Sequence, residues 1–209
     1  MYTYAGFLSY VTGGHNFKVG LQVRTGDSEE LFETRQDIVQ IVNNGVPNSV
    51  RLVNNQSGHK ESGVNTGFYV QDSWSFGRVT INPGLRYERF TMSIPQQSAV
   101  AGRWVPAREF AEQRNLVNWN TLSPRFGISW DMFGDGRTAV KGGLSKYDRL
   151  AGITIIQPLN GRNIAFQTCP WADTNGDLRA QNDEIAFPRC TGSLQPALGT
   201  VDPGLKRPY

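Results

Sequence analysis

The sequence predicts an all-β fold of antiparallel strands, each with one apolar and one polar face. Three observations support it: a two-residue alternation of apolar and polar side chains, tight glycine-containing turns, and a strict order of short and long connections. The alternation is clearest where Phe126, Ile128 and Trp130 are separated by Gly127 and Ser129. Successive side chains of a strand point to opposite faces, so this spacing describes a strand with one apolar side.

The same period recurs along the chain and predicts six strands. Each has about the 9–11 residues that a tilted strand needs to cross a bilayer. Asp72 is a misfit, because it falls on the apolar face of its segment. The predicted strands are 1–11, 15–25, 66–76, 79–90, 123–132 and 138–148.

The connections between these strands alternate between tight turns and long polar stretches. The turns are 12–15, 75–78 and 134–137, and the polar stretches are 26–63, 91–121 and 149–209. Short turns at one end and long loops at the other are typical of outer-membrane barrels. We therefore expect an antiparallel transmembrane β-barrel segment in the bacterial outer membrane, with short periplasmic turns, long extracellular loops and membrane lipid around it.

The polar face of each strand is then expected to line a wet lumen. This placement explains how charged side chains occupy mid-strand positions without contacting lipid. The charged residues predicted to face the lumen are Lys18, Arg24, Arg86, Glu88, Arg125, Asp131 and Lys141.

Six strands are too few to close a barrel, since the smallest single-chain barrels use about eight. An open sheet edge in hydrocarbon would leave backbone groups unpaired, at a cost of several kcal/mol each. We therefore expect residues 1–209 to be part of a larger barrel whose chain begins within a longer precursor. The rest of that barrel is then a partner of this segment.

Composition argues against several other classes of protein. The net charge of +3, with no run of Lys or Arg, does not favour a nucleic-acid partner. No apolar run approaches the roughly 20 residues of a membrane helix. No GxSxG, HExxH or P-loop motif is present, so we expect no enzymatic activity.

An ordered series of short motifs resembles TonB-dependent outer-membrane receptors, in particular their Oar-like branch. The motifs are GFYVQDSW (67–74) with LRYE (85–88), LSPRFG (122–127) with DMFGDGRT (131–138), VPAREF (105–110) with NW (118–119), and DPGLKRPY (202–209). The resemblance implies a large barrel with an N-terminal plug, energised from the inner membrane through TonB. It does not identify the transported substrate.

An acidic stretch in the last polar region fits positions 1, 3, 5, 7 and 12 of an EF-hand calcium loop. The candidate ligands are Asp173, Asn175, Asp177, the carbonyl of Arg179, and Glu184. Position 6 should be glycine but is Leu178. Two interpretations stay open: a weak calcium site, or an Asx-rich turn that solvates an external loop.

Cys169 and Cys190 flank this acidic stretch and are the only cysteines. The outer surface of a bacterium is oxidising, so an exported chain is expected to join them. A disulfide that closes a loop of about 20 residues stabilises by roughly 3 kcal/mol in the chain-entropy model. Two unpaired thiols are the alternative.

Two further features belong to the long polar stretches. Residues 36–54 predict a second kind of hairpin, either an extension of the barrel strands or a small external ribbon. Trp104, Trp119 and Trp171 are predicted to anchor loop cores rather than to stack on a sugar.

Two functions fit these observations. The first is part of a TonB-dependent outer-membrane transporter or receptor. The second is a secreted calcium-binding β-sandwich that recognises glycans or a protein partner. The sandwich would show the same alternation, but the apolar faces of its two sheets would contact each other.

Overall fold

The computed structural model describes residues 1–32, 37–148, 152, 155–202 and 204–207. These residues confirm the predicted all-β, antiparallel fold. Within these ranges, no helix is long and apolar enough to span a membrane. The strands are β1 (Tyr2–Thr12), β2 (His15–Phe32), β3 (Ile38–Asn43), β4 (Val46–Val53), β5 (Ser57–Gln71), β6 (Trp74–Phe76), β7 (Val79–Ile94), β8 (Gln97–Ala99), β9 (Arg108–Phe110), β10 (Gln113–Asp131), β11 (Ala139–Ser145), β12 (Phe166–Pro170) and β13 (Thr191–Gly192).

A main sheet contains the long strands in the order β1-β2-β5-β7-β10-β11. All of its pairings are antiparallel, and the short strand β6 pairs with both β2 and β7. The tight connections of the sequence link β1 to β2, β6 to β7, and β10 to β11. All three therefore lie at one end of the sheet, which we call the turn end.

Four strands of the main sheet extend beyond the predicted bounds, away from the turn end. The largest difference is β10, which begins at Gln113 rather than near residue 123. The polar stretches 26–63 and 91–121 are therefore only partly loop, because their ends continue the β2–β5 and β7–β10 ladders. Their side chains no longer follow the alternation of the turn-end half, although their backbone pairing continues.

The predicted strand 66–76 is wrong in one respect, because the structure divides it at Asp72 and Ser73. The Asp72 carboxylate lies 2.6 Å from Nδ1 of His15 and accepts a 3.1 Å hydrogen bond from the backbone N–H of Asn16. A carboxylate on an apolar face needs such partners. The regular strand is interrupted at these two residues, although their backbone N–H groups still donate to the carbonyls of Pro83 and Asn16 at 3.0 and 3.2 Å, and it resumes at Trp74.

A second sheet of four short strands lies in the long connections, in the order β13-β12-β4-β3. The predicted 36–54 hairpin forms β3 and β4 of this separate sheet, so it is a small ribbon and does not extend the main strands; residue 36 lies outside the described residues. The sheet and its neighbours bury a core of Val50, Leu52, Cys169, Trp171 and Ile185.

The last connection, predicted as the loop 149–209, contains β12, β13 and single turns of 3-10 helix. Residues 149–151, 153–154, 203 and 208–209 lie outside the described part of the chain, including three positions of the 202–209 motif. Ile156 and Leu159 of this connection, with Val201, pack on the halves of β7 and β10 that lie away from the turn end. That junction core consists of Phe90, Met92, Ile94, Val117, Trp119, Ile156 and Leu159.

Candidate membrane-facing surface and acidic loop

One face of the turn-end half of the main sheet is apolar across all of its strands. The register shows this directly: Val19 pairs with Val70, which pairs with Leu85. These three side chains are exposed, at 37% for Val19, 40% for Val70 and 41% for Leu85, and Leu144 on β11 is 80% exposed. A contiguous exposed apolar surface marks an interaction site rather than a core. We call it the apolar face.

No second sheet covers the apolar face among the described residues. The sandwich interpretation needs two apolar faces in contact, so it is wrong for this sheet.

The apolar stretch of β10 runs from Leu122 to Trp130, which is about 27 Å along the strand at roughly 3.4 Å per residue. A tilt of about 40° reduces this to about 20 Å, close to the height of a barrel's lipid-facing band.

Aromatic residues mark both ends of this band. Tyr10, Phe17, Trp74, Phe76 and Trp130 lie near the turn end, and Tyr2, Tyr4 and Tyr87 lie at the other. Tyr87 donates a 2.7 Å hydrogen bond to Asn120, the first polar residue above the band on β10. Tyrosine and tryptophan favour the boundary between lipid and water because one end of each side chain is apolar and the other polar.

The opposite face carries the charges, and we call it the charged face. Pairing runs from Lys18 through Gln71 and Gly84 to Arg125, and the remaining charged residues follow by the alternation of their strands. The seven residues predicted to face the lumen therefore share one face. That this face lines a lumen stays a prediction.

The two carboxylates of that set are already satisfied. Glu88 accepts a 2.8 Å hydrogen bond from Nε of Arg86 and another of 2.8 Å from Arg207. Asp131 accepts hydrogen bonds from the backbone N–H groups of Gly134 and Gly136, at 2.9 and 3.0 Å, and so fixes the β10–β11 turn. Ion pairing and turn capping thus use both carboxylates.

Arg207 and Asp148 are polar residues of the charged face that sequence reasoning missed. Arg207 comes from the end of the last connection, and its side chain is only 2% exposed. Asp148 accepts a hydrogen bond from Ser123 and lies 3.7 Å from Nζ of Lys146. Arg207 follows the last predicted strand, and Asp148 is the final residue of that strand, after its alternating residues end. The alternation therefore did not indicate either of them.

The structure brings the acidic-loop carboxylates together. Ligand oxygens of Asp173, Asp177 and Glu184 lie within 4.8 Å of one another. Asp173 accepts backbone N–H bonds from Gly176, Asp177 and Leu178 at 2.9 to 3.1 Å. A calcium-binding loop needs a curled backbone of this kind to bring its oxygen ligands together. An Asx turn whose carboxylate accepts hydrogen bonds from backbone N–H groups has the same geometry.

Glu184 is buried at 7% exposure and links the ends of the acidic loop. It accepts hydrogen bonds from the Thr174 backbone at 2.8 Å and from Trp171 Nε1 at 3.2 Å. Burial alone would raise the pKa of Glu184, but hydrogen bonds from Thr174, Trp171 and Gln181 together hold that pKa below its ordinary value. The carboxylate is thus charged at neutral pH, and its oxygens accept hydrogen bonds from the loop itself.

Leu178 adopts the backbone conformation that the EF-hand pattern reserves for glycine. Its φ is +57°, and Gly176 has a φ of +77°. A left-handed conformation is costly for a residue with a branched apolar side chain, and Leu178 is exposed, without compensating burial. The sequence mismatch at position 6 therefore appears in the structure as backbone strain.

The disulfide between Cys169 and Cys190 is present and closes the acidic loop. Two of the tryptophans are buried in loop cores: Trp171 in the second sheet and Trp119 in the junction core. Trp104 packs against the core of the second sheet and donates a 2.8 Å hydrogen bond to the carbonyl of Asp37. The anchor interpretation is confirmed for all three.

A family model described as "Outer membrane beta barrel domain" matches residues 1–209. No curated protein matches the chain, and no solved structure does.

Proposed function

Because the chain belongs to the outer membrane beta barrel domain family, we propose that it supplies wall and external loops to a TonB-dependent transporter or receptor. The bacterial outer membrane is its location, and a barrel wall is its role. TonB dependence, the plug and the transported substrate belong to the proposal. We infer a passage or binding role for the domain and no catalysis.

The observation that carries this proposal is a sheet with one exposed apolar face and one charged face. The apolar band is about 20 Å tall, close to the roughly 25 Å lipid-facing band of outer-membrane barrels, and aromatic side chains bound it. Lipid would cover those side chains, while the charged face would remain in water. The motif series from 67 to 138 supports the TonB-dependent, Oar-like assignment.

The wall assignment is tested in the full-length protein with single cysteines on neighbouring residues of β10. Ser129→Cys lies on the charged face and should react with a membrane-impermeant maleimide in intact outer membranes. Ile128→Cys lies on the apolar face and should react only after denaturation. Equal labelling of both cysteines in the folded protein would contradict the assignment.

TonB dependence is tested separately by formaldehyde cross-linking in cells. The full-length protein should form an adduct with TonB, and deletion of the periplasmic N-terminal region of the same protein should abolish it. A protein that folds in the membrane but forms no TonB adduct would support a barrel of another transport class.

We also propose that calcium binds to Asp173, Asn175, Asp177, Glu184 and the carbonyl of Arg179. The convergence of three carboxylates favours this, since only a cation relieves their repulsion fully. The hydrogen bonds that occupy those oxygens, together with the strain at Leu178, put the expected affinity at the weak end for such loops.

A further inference from the structure

The charged face has more unpaired cations than unpaired carboxylates. Glu88, Asp131 and Asp148 are used by ion pairs, hydrogen bonds and a turn, as described above. Among the described residues, no carboxylate lies within ion-pair distance of Lys18, Arg24, Arg125 or Lys141. The face therefore has a positive field that its own residues leave unbalanced.

Two of these cations lie in one register row. Lys18 pairs with Gln71, Gln71 with Gly84, and Gly84 with Arg125. Three strand spacings separate the backbone positions of Lys18 and Arg125, or roughly 14 Å. Gly84 contributes no side chain between them, so the row has a gap there.

That gap is a cleft of about 140 Å³. Its polar lining is Tyr69, Gln71, Arg86 and Arg125, with Gly84 as the floor. Arg86 shares the Glu88 carboxylate with Arg207, so its guanidinium is held in place and part of its charge is compensated. Arg125 has no such partner.

An aromatic ring supports Arg125 without neutralising it. The guanidinium lies 4.8 Å from the centre of the Tyr147 ring. A cation–π contact of this kind positions the side chain while its charge stays available. Guanidinium groups present a fork of N–H donors that matches the oxygens of phosphate, sulfate and carboxylate.

We propose that the cleft over Gly84 binds an oxyanion group of the solute that passes along this wall. Arg125 supplies the charge, and Gln71 and Tyr69 supply neutral hydrogen-bonding groups. The proposal rests on the proposed function, because the charged face must face the lumen for a solute to reach it. The solute that passes along this wall is therefore proposed to be an anion.

The experiment uses the folded full-length protein in detergent and three probes with one fluorophore. These are 4-methylumbelliferyl phosphate, 4-methylumbelliferyl sulfate and the uncharged 4-methylumbelliferyl glucoside, followed by fluorescence anisotropy against a protein-free micelle blank. Phosphate or sulfate should bind about tenfold more tightly than the glucoside, and high salt should remove the difference. The ratio of phosphate to sulfate affinity shows which oxyanion the site prefers.

Arg125→Gln should weaken binding of the charged probes by about tenfold, the loss of one charge-assisted contact. The matched control is Arg137→Gln, which removes an equal charge from the exposed β10–β11 turn and should leave binding unchanged. Gly84→Gln fills the cleft without altering charge. A Cβ at Gly84 meets its neighbours at 3.4 to 3.7 Å, which is ordinary contact, so this variant should fold and should also lose binding.

Equal affinity for charged and uncharged probes would overturn the proposal, and so would equal losses in Arg125→Gln and Arg137→Gln. Labelling of Ser129→Cys separates this failure from failure of the wall. If Ser129→Cys reacts from the aqueous side while no oxyanion binds, the wall stands and the cleft is not a site. If Ser129→Cys is protected, the proposed function itself fails.

Discussion

The two halves of β7 and β10 place their apolar residues on opposite faces. In the turn-end half, Leu85 and Ile128 lie on the exposed apolar face. In the other half, Met92 and Trp119 are buried on the continuation of the charged face, against the last connection. One pair of strands therefore serves two environments, and the apolar parity reverses where the surroundings change.

The two halves obtain their stability from different sources. The turn-end half has ladder hydrogen bonds and an apolar face but no buried core of its own, so it depends on lipid and on the remaining barrel. The region away from the turn end has the junction core, the core of the second sheet and a disulfide. Changes in the wall should affect membrane assembly, whereas changes in the loops should affect local order.

The largest expected effect is on membrane assembly. Ile128→Arg places a charge on the apolar face and should destabilise the folded barrel by about 2–4 kcal/mol if the site lies near the bilayer midplane. Ser129→Arg places the same charge on the charged face and should be tolerated. The measurement is the amount of folded protein in outer membranes, and equal losses would contradict the face assignment.

The disulfide should act on the loops alone. Replacing Cys169 and Cys190 together by Ser should remove roughly 3 kcal/mol of stabilisation from the region they close. Limited proteolysis should then cut between residues 169 and 190, while the amount of folded barrel stays at the unmodified level. Loss of the barrel itself would show that wall and loops do not fold independently.

Glu184 predicts a smaller, pH-dependent effect. Its folded pKa lies below the ordinary value of 4.5, so its contribution to stability is present above pH 4.5. That contribution is lost as the pH falls below 4.5 and through the folded pKa. Protease resistance of the acidic loop should decline over this window, and Glu184→Gln should flatten the decline. An unchanged profile in Glu184→Gln would contradict the assigned role.

Calcium should produce the smallest effect. If the acidic loop binds it, millimolar calcium should protect this loop from protease, with a dissociation constant on the order of 10⁻⁴ to 10⁻³ M. The double variant Asp173→Ala with Glu184→Ala should lose that protection, and magnesium serves as the control cation. No calcium-dependent protection in the unmutated protein would leave the self-satisfied Asx turn as the better description.

Sequence alone predicted the turn-end half of the fold because one parity persists there. From Arg125 to Asp131 every second residue is apolar, and the tight turns set the pairing. The register that follows places the predicted charged residues on one face. A strand between lipid and water needs one apolar and one polar face, so the two-residue alternation is visible in its sequence.

The halves of β7 and β10 that lie away from the turn end were not predicted, because their apolar residues fall on the opposite parity. In β10, Val117 and Trp119 fall on the parity that carries Arg125 lower down, so a search for one constant alternation stops near Leu122. A test for reversed parity would have extended both β7 and β10. Contacts such as Arg207 with Glu88 join residues 119 positions apart, and no local spacing indicates them.

We expect the apolar face to contact lipid and the charged face to contact water. The most direct test places a spin label at each position from 125 to 131 in the full-length protein in bilayers. Accessibility to oxygen, which concentrates in lipid, should peak at Phe126, Ile128 and Trp130. Accessibility to a water-soluble nickel chelate should peak at Arg125, Gly127 and Ser129. A profile with no two-residue period, or with the two probes in the opposite phase, would contradict the account.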